Sequence, residues 1–111
     1  MQLFFNADDH PWEQISDGIK RKIVGFTDDL MVVHLNFDKG AVGKPHSHEI
    51  HDQIGYVVKG RFEACINGQK KILKSGDAYI ARKHFEHGAV ALEDDSVLLD
   101  VFSPSREDIL K

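Results

Sequence analysis

From residue 30 to residue 37 the side chains fall into two alternating sets. Met31, Val33, Leu35 and Phe37 form one, and Leu30, Val32, His34 and Asn36 the other. A period of two is the mark of extended backbone, in which successive side chains leave opposite faces. Similar short segments recur at 20–26, 53–58, 61–66, 69–73, 78–81, 87–91 and 97–102, punctuated by turn signals such as Asp28-Asp29, Lys59-Gly60, Asn67-Gly68 and Ser75-Gly76-Asp77. Asn67-Gly68 is the strongest of these, because both central positions of a two-residue hairpin turn need positive φ. Residues 40–43 read as a loop, and a short extended piece beyond them carries His46 and His48. Helix signals are confined to the end. Pro104 and Ser105 open a short C-terminal helix reaching Leu110, with Ser105 as its cap and Glu107 and Asp108 in its first turn. About eight short strands without a long helix imply an all-β sandwich or barrel.

The chain has 111 residues, 41% of them hydrophobic, with no low-complexity linker and no repeat, so one domain spanning 1–111 is expected. Net charge is −4 and no basic stripe is present, which argues against nucleic acid and against an anionic membrane surface as partners. An anionic substrate would have to be met locally, by a metal or a few arginines. The single cysteine, Cys65, reads as a packing residue and excludes an intramolecular disulfide. The stretch Met1-Gln2-Leu3-Phe4-Phe5 lacks a basic lead and turns acidic at Asp8-Asp9, unlike a secretory signal, and no apolar run approaches the ~18 residues of a membrane span. The expected location is cytoplasmic.

Seven histidines are many for this length, and five of them cluster as His46, His48, His51 and His84, His87. On an extended strand His46 and His48 would share a face about 7 Å apart, close enough for two imidazoles to lean onto one ion. Gln53 follows after a turn that can shift the register, and a neighbouring strand can bring in His87. In the last strand Leu98, Asp100 and Phe102 share one face, while Val97, Leu99 and Val101 share the other. Asp100 thus stands between apolar neighbours. An isolated carboxylate is costly there, but it is tolerable near a divalent cation and useful as an acid or base with a tuned pKa. The Val97-Leu99-Val101 face is either a surface for homodimer formation or buried within the monomer.

The segment from Gly40 through His46-Ser47-His48 and Gln53 to Gly60 resembles the first cupin motif, and that from Gly76-Asp77 to His87-Gly88 resembles the second. The resemblance implies a jelly-roll-like, double-stranded β-helix barrel with one divalent transition metal (Ni, Zn, Fe or Mn) inside, held by His46, His48, Gln53 and His87. Arg82 and His84 stand where the second motif usually has proline and glycine, which bears on that loop's shape. Gln53 stands where most cupins have glutamate. A neutral amide in place of a carboxylate weakens metal binding but leaves the ion its full +2 charge, and so a stronger Lewis acid.

That ligand set, with Gln53-Ile54-Gly55-Tyr56-Val57 and Asp100-Val101-Phe102-Ser103-Pro104-Ser105-Arg106, is similar to one cupin subgroup, the KdgF-type uronate ring-opening enzymes of pectin degradation. The resemblance implies a small anionic sugar substrate, a 4,5-unsaturated monouronate released by pectin or alginate lyases, converted to an open-chain keto-deoxyuronate. On this reading Asp100 shuttles the proton, Arg106 pairs with the substrate carboxylate and Phe102 walls the sugar ring. His84, His51, Arg82 and Arg21 are weaker candidates for the pocket rim and His34 for the pocket itself, none with an assigned role. Two other readings use the same ligands. An Fe- or Mn-dependent cupin dioxygenase would consume oxygen, and a non-catalytic sugar-binding or regulatory cupin would form no product.

Overall fold

A computed structural model describes residues 3–110; Met1, Gln2 and Lys111, at the ends of the expected domain, lie outside them. Ten strands follow a short 3-10 turn at Ala7–Asp9: β1 Glu13–Ser16, β2 Ile19–Phe26, β3 Met31–Phe37, β4 Val42–His46, β5 Asp52–Lys59, β6 Arg61–Ile66, β7 Gln69–Lys74, β8 Ala78–Ala81, β9 His87–Ala91 and β10 Ser96–Ser103. Six form one sheet in the order β1-β2-β3-β10-β5-β8, and four form the other in the order β4-β9-β6-β7. Every pairing is antiparallel.

Alternation decides which side chains meet between the sheets. Met31, Val33, Leu35 and Phe37 of β3 are buried, as their shared face predicts, and Leu98 and Phe102 of β10 join them. Phe62 and Ala64 of β6 answer from the other sheet, with the Phe62 ring edge-on to Phe37 at 5.0 Å. Asn67 and Gly68 take φ of 49° and 81°, as the tight β6–β7 turn requires. Leu99 and Val101 lie half-buried on the outer face of the six-stranded sheet, away from the core, beside the exposed Ile54 and Tyr56 of β5.

The all-β jelly roll is therefore the architecture found, with differences in detail. The sheets face each other as separate ladders and do not close into a barrel; among the described residues no ladder joins an edge of one sheet to the other. β1 has no sequence signal because all four of its residues are exposed, so no apolar period marks it. β4 occupies part of the expected loop and ends at His46, leaving His48 beyond the strand.

The expected C-terminal helix is absent. Among the described residues two turn-type bonds form there, Ile109 N–H to Arg106 O and Leu110 N–H to Glu107 O, both 3.1 Å. Ser105 does not cap this segment. It is buried with its hydroxyl directed at the carbonyls of Thr27 and Leu30, and its N–H reaches Asp28 O at 3.3 Å. A segment this short cannot repay helix nucleation once its cap is committed to the body of the fold.

Phe62 is 1% exposed at the centre of the core. Phe62→Ala is expected to cost about 3–5 kcal/mol, read as a lower urea midpoint with an unchanged slope.

Candidate metal centre and its cavity

The two sheets bring the distant ligands together through register. His46 at the end of β4 stands opposite His87 at the start of β9. Gln53, on the inner face of β5 in the other sheet, is 2% exposed. His48 folds in from the loop after β4, its ring 4.9 Å from that of His46 and 5.1 Å from that of His87. The ligand nitrogens of the three histidines lie within 4.8 Å of one another. Gln53 Oε1 is 3.1 Å from both His48 Nε2 and His87 Nε2. Bonds of about 2.1 Å to one ion would put adjacent ligand atoms roughly 3.0–3.4 Å apart, so these separations suit a shared cation.

The hydrogen-bond directions make the same point. His87 Nδ1 lies 3.1 Å from Phe85 O and His46 Nδ1 2.9 Å from Lys44 O. A carbonyl only accepts, so both Nδ1 atoms carry hydrogen, and in its neutral form each ring presents the Nε2 lone pair. Gln53 Nε2 donates to the Tyr79 hydroxyl at 2.8 Å, which turns the amide oxygen toward the histidines. His87 Nε2 and Gln53 Oε1 are then two acceptors facing each other, a repulsive contact unless a proton or a cation lies between them. Burial lowers the His87 pKa, so the proton is disfavoured. His48 is lowered to about 4, by desolvation first and then by the charges of Arg106, His46 and His87. The residues fit a divalent ion, and all four ligands would be neutral.

Beside them lies a cavity of about 140 Å³ whose lining includes His46, Gln53, Tyr79, His87, Asp100, Phe102 and Arg106. Asp100 is buried on the inner face of β10. Burial pushes its pKa up to about 7, against the opposing pull of hydrogen bonds from Tyr79 and Gln53 and the charge of Arg106. A bound divalent cation would draw it down again. Phe102 is 2% exposed and sets its ring edge-on to His48 at 5.8 Å. The Arg106 guanidinium sits 5.1 Å above the Phe102 ring and pairs with Asp108 at 2.7 Å.

The unassigned residues divide. Arg21 lines the same cavity. His51 bonds Pro104 O through Nδ1 at 2.9 Å in a groove it shares with His48 and Arg106. His34 lies on the outer face, edge-on to Trp12 at 5.1 Å. Arg82 is exposed. His84 adopts φ 71°, the conformation that favours glycine, and its N–H donates to His48 O at 2.7 Å. The loop thus keeps a left-handed turn at this position, at some cost in strain.

Tyr79 has no motif to announce it. Asp100 and Tyr79 flank Gly55 in register on either side of β5. A Cβ at Gly55 would come within 2.2 Å of the Tyr79 ring, so the missing side chain lets the ring lie flat across the strand. Its hydroxyl then accepts from Gln53 and donates to Asp100 Oδ1 at 3.4 Å. The glycine in Gln53-Ile54-Gly55 is the one sequence hint of this contact.

Tyr79→Phe is expected to weaken Ni or Zn binding about 10–100-fold in chelator competition, because the Gln53 amide loses its orienting acceptor. In the metal-free protein, a carboxyl raised to about 7 from the ordinary 3.8 adds stability that is complete below pH 3.8 and lost as pH rises through 7. Asp100→Asn should therefore gain on wild type between pH 4 and pH 8, by up to about 4 kcal/mol in urea unfolding.

Comparison with known proteins agrees with this geometry. The cupin domain family model matches residues 33–102. The pectin degradation protein KdgF of Dickeya dadantii is 57% identical over 99% of this chain and 100% of its own length. The structure of KdgF from a Halomonas species superposes with a TM-score of 0.95 at 54% identity, covering 98% of this chain and 99% of that one. An RmlC-like cupin from Shewanella frigidimarina superposes with a TM-score of 0.92 at 40% identity, covering 98% and 96%.

Proposed function

This chain belongs to the cupin family and, within it, to the KdgF group, and on that premise we propose that it is a metal-dependent enzyme that opens the ring of 4,5-unsaturated monouronates to give linear keto-deoxyuronates. The observation that carries the proposal is the placement of one buried carboxyl, Asp100, in the same small cavity as His46, Gln53 and His87, with His48 completing the ligand cluster beside it. At about 140 Å³ the cavity is too small for an oligomer. The name of the Dickeya relative supports pectin as a source of the substrate.

A divalent ion such as Ni, Zn, Fe or Mn, held by those four residues, would supply Lewis acidity of several kcal/mol toward charge developing on oxygen. The chain's own side chains account for the rest. Arg106 offers a planar fork to the substrate carboxylate, exchanging its contact with Asp108 for the ligand. Phe102, beneath that guanidinium, gives the ring an apolar wall and keeps bulk water from it. Asp100 accepts the proton of the C1 hydroxyl. As the C1–O5 bond breaks, C1 becomes an aldehyde and the electron pair passes through O5 and C5 toward C4. Asp100 then returns the proton to C4, leaving a ketone at C5. No atom is gained or lost, so a single carboxyl serves both transfers; burial raises its pKa and a bound cation would lower it again, and this balance suits one group acting as base and then acid. Tyr79 holds that carboxyl through its hydroxyl and keeps Gln53 turned toward the histidines.

The substrate's conjugated C4=C5 bond absorbs in the ultraviolet, and ring opening removes it. Purified protein should speed the decay of that absorbance, and chelation should abolish the effect. Asp100→Asn should lower kcat about 10²–10⁴-fold with the metal retained, and Arg106→Ala should chiefly raise KM. Decay no faster than in buffer would remove the enzymatic reading.

A further inference from the structure

Arg21 is the charged residue of the cavity lining that the ring-opening scheme leaves unused. It projects from the inner face of β2 in register with Leu35 of β3, between the buried Ile19 and the half-buried Ile23. A charged side chain on that apolar face is costly to bury. Its partner is Glu13, directly across from it on β1, whose Oε1 accepts from Arg21 Nη2 at 3.0 Å. Glu13 is largely exposed, whereas the Arg21 side chain is 19% exposed. Among the described residues Arg21 Nε is the buried side-chain polar atom without a hydrogen-bond partner. A buried donor in a native fold calls for an acceptor, and this one belongs to a side chain in the cavity lining.

Register fixes which end of the cavity this is. Asp100 pairs with Val33 and Arg21 with Leu35, so Arg21 lies two strands over from Asp100 and one inward-facing position along. Two strand spacings are roughly 9–10 Å. The histidines and Arg106 are at the other end, by Phe102, which pairs with Gln53 and Met31, stands edge-on to His48 and lies beneath the Arg106 guanidinium. A uronate with its carboxylate at that end turns its hydroxyl-bearing carbons toward β2. An arginine at this end, with an Nε–H to spare, meets the neutral hydroxyl oxygens rather than the carboxylate.

Resting on the ring-opening function above, we propose that Arg21, steadied by Glu13, forms a second subsite that donates hydrogen bonds to the hydroxyls at C2 and C3 of the sugar. The contact is made to atoms that do not react, so it contributes to binding in ground and transition state alike. Because the C2 hydroxyl points differently in galacturonate- and mannuronate-derived substrates, the contact also affects how the enzyme ranks the two.

The test is steady-state kinetics of Arg21→Ala, Arg21→Lys and Glu13→Gln on both unsaturated monouronates, with metal content and thermal midpoint measured for each protein. Arg21→Ala is expected to raise KM roughly 10- to 100-fold with kcat within about threefold and full metal content. It should also change the ratio of kcat/KM between the two substrates. Arg21→Lys, which keeps charge but not the fork, should fall between, and Glu13→Gln should show a smaller KM effect. An unchanged KM, or equal losses on both substrates that follow a lowered thermal midpoint, overturns the subsite and leaves the ring-opening function standing. Failure of the wild type to convert either substrate sinks the function, and the subsite with it.

Discussion

The amide of Gln53 is oriented by the hydrogen bond from its Nε2 to the Tyr79 hydroxyl, and the direction of that bond governs the site. Because Tyr79 gives its own proton toward Asp100, it can only accept from Gln53, so Oε1 must face His48 and His87. With the imidazole protons drawn to the Phe85 and Lys44 carbonyls, lone pairs converge from several sides on one small volume. Such an arrangement is repulsive by itself and relieved by a cation. The same chain of bonds ties the metal ligands to the buried carboxyl, so the electrophilic and proton-transfer parts of the site share one support.

That support depends on packing two strands away. Gly55 is bare so that the Tyr79 ring can lie across β5, and Asp100 arrives beside it because β10 pairs with β5 on one edge and with β3 on the other. The apolar rows of β3 and β6 hold the two sheets at the separation on which the cavity depends. Asp100 is costly in such surroundings, which is why its pKa rises, and that same burial makes it useful as a proton carrier near neutral pH. The core therefore stabilises the fold and tunes the site at once.

The sequence made some parts of this legible and hid others. Strand content was clear wherever burial alternates, as in β3, β5 and β10. It was invisible in β1, whose residues are all exposed and which is ordered by pairing with β2. The C-terminal segment carries sound local helix signals, yet Ser105 is drawn to the carbonyls of Thr27 and Leu30, far away in the chain. Local propensity lost there to a long-range contact. His84 shows the reverse case, where the fold imposes a left-handed backbone on a residue that does not favour it. Tyr79 was missed as a site residue and Arg21 stood only as a weaker rim candidate, because each looks ordinary in its own strand; only the register of neighbouring strands turns them toward the cavity.

What the sequence determined by itself is the chemistry available. The period of two, the Asn67-Gly68 turn, the His-x-His pair with Gln53 and His87, and a carboxylate among apolar residues of the last strand are all local facts, set by side-chain type and spacing. What only the tertiary structure decided is direction. Which lone pairs converge, which amide face meets the histidines, which carboxyl is desolvated and which arginine keeps a buried donor free all depend on strands far apart in the chain. Hydrogen bonds and desolvation act over a few ångströms of space, and no spacing along the sequence specifies those distances until the sheets have paired.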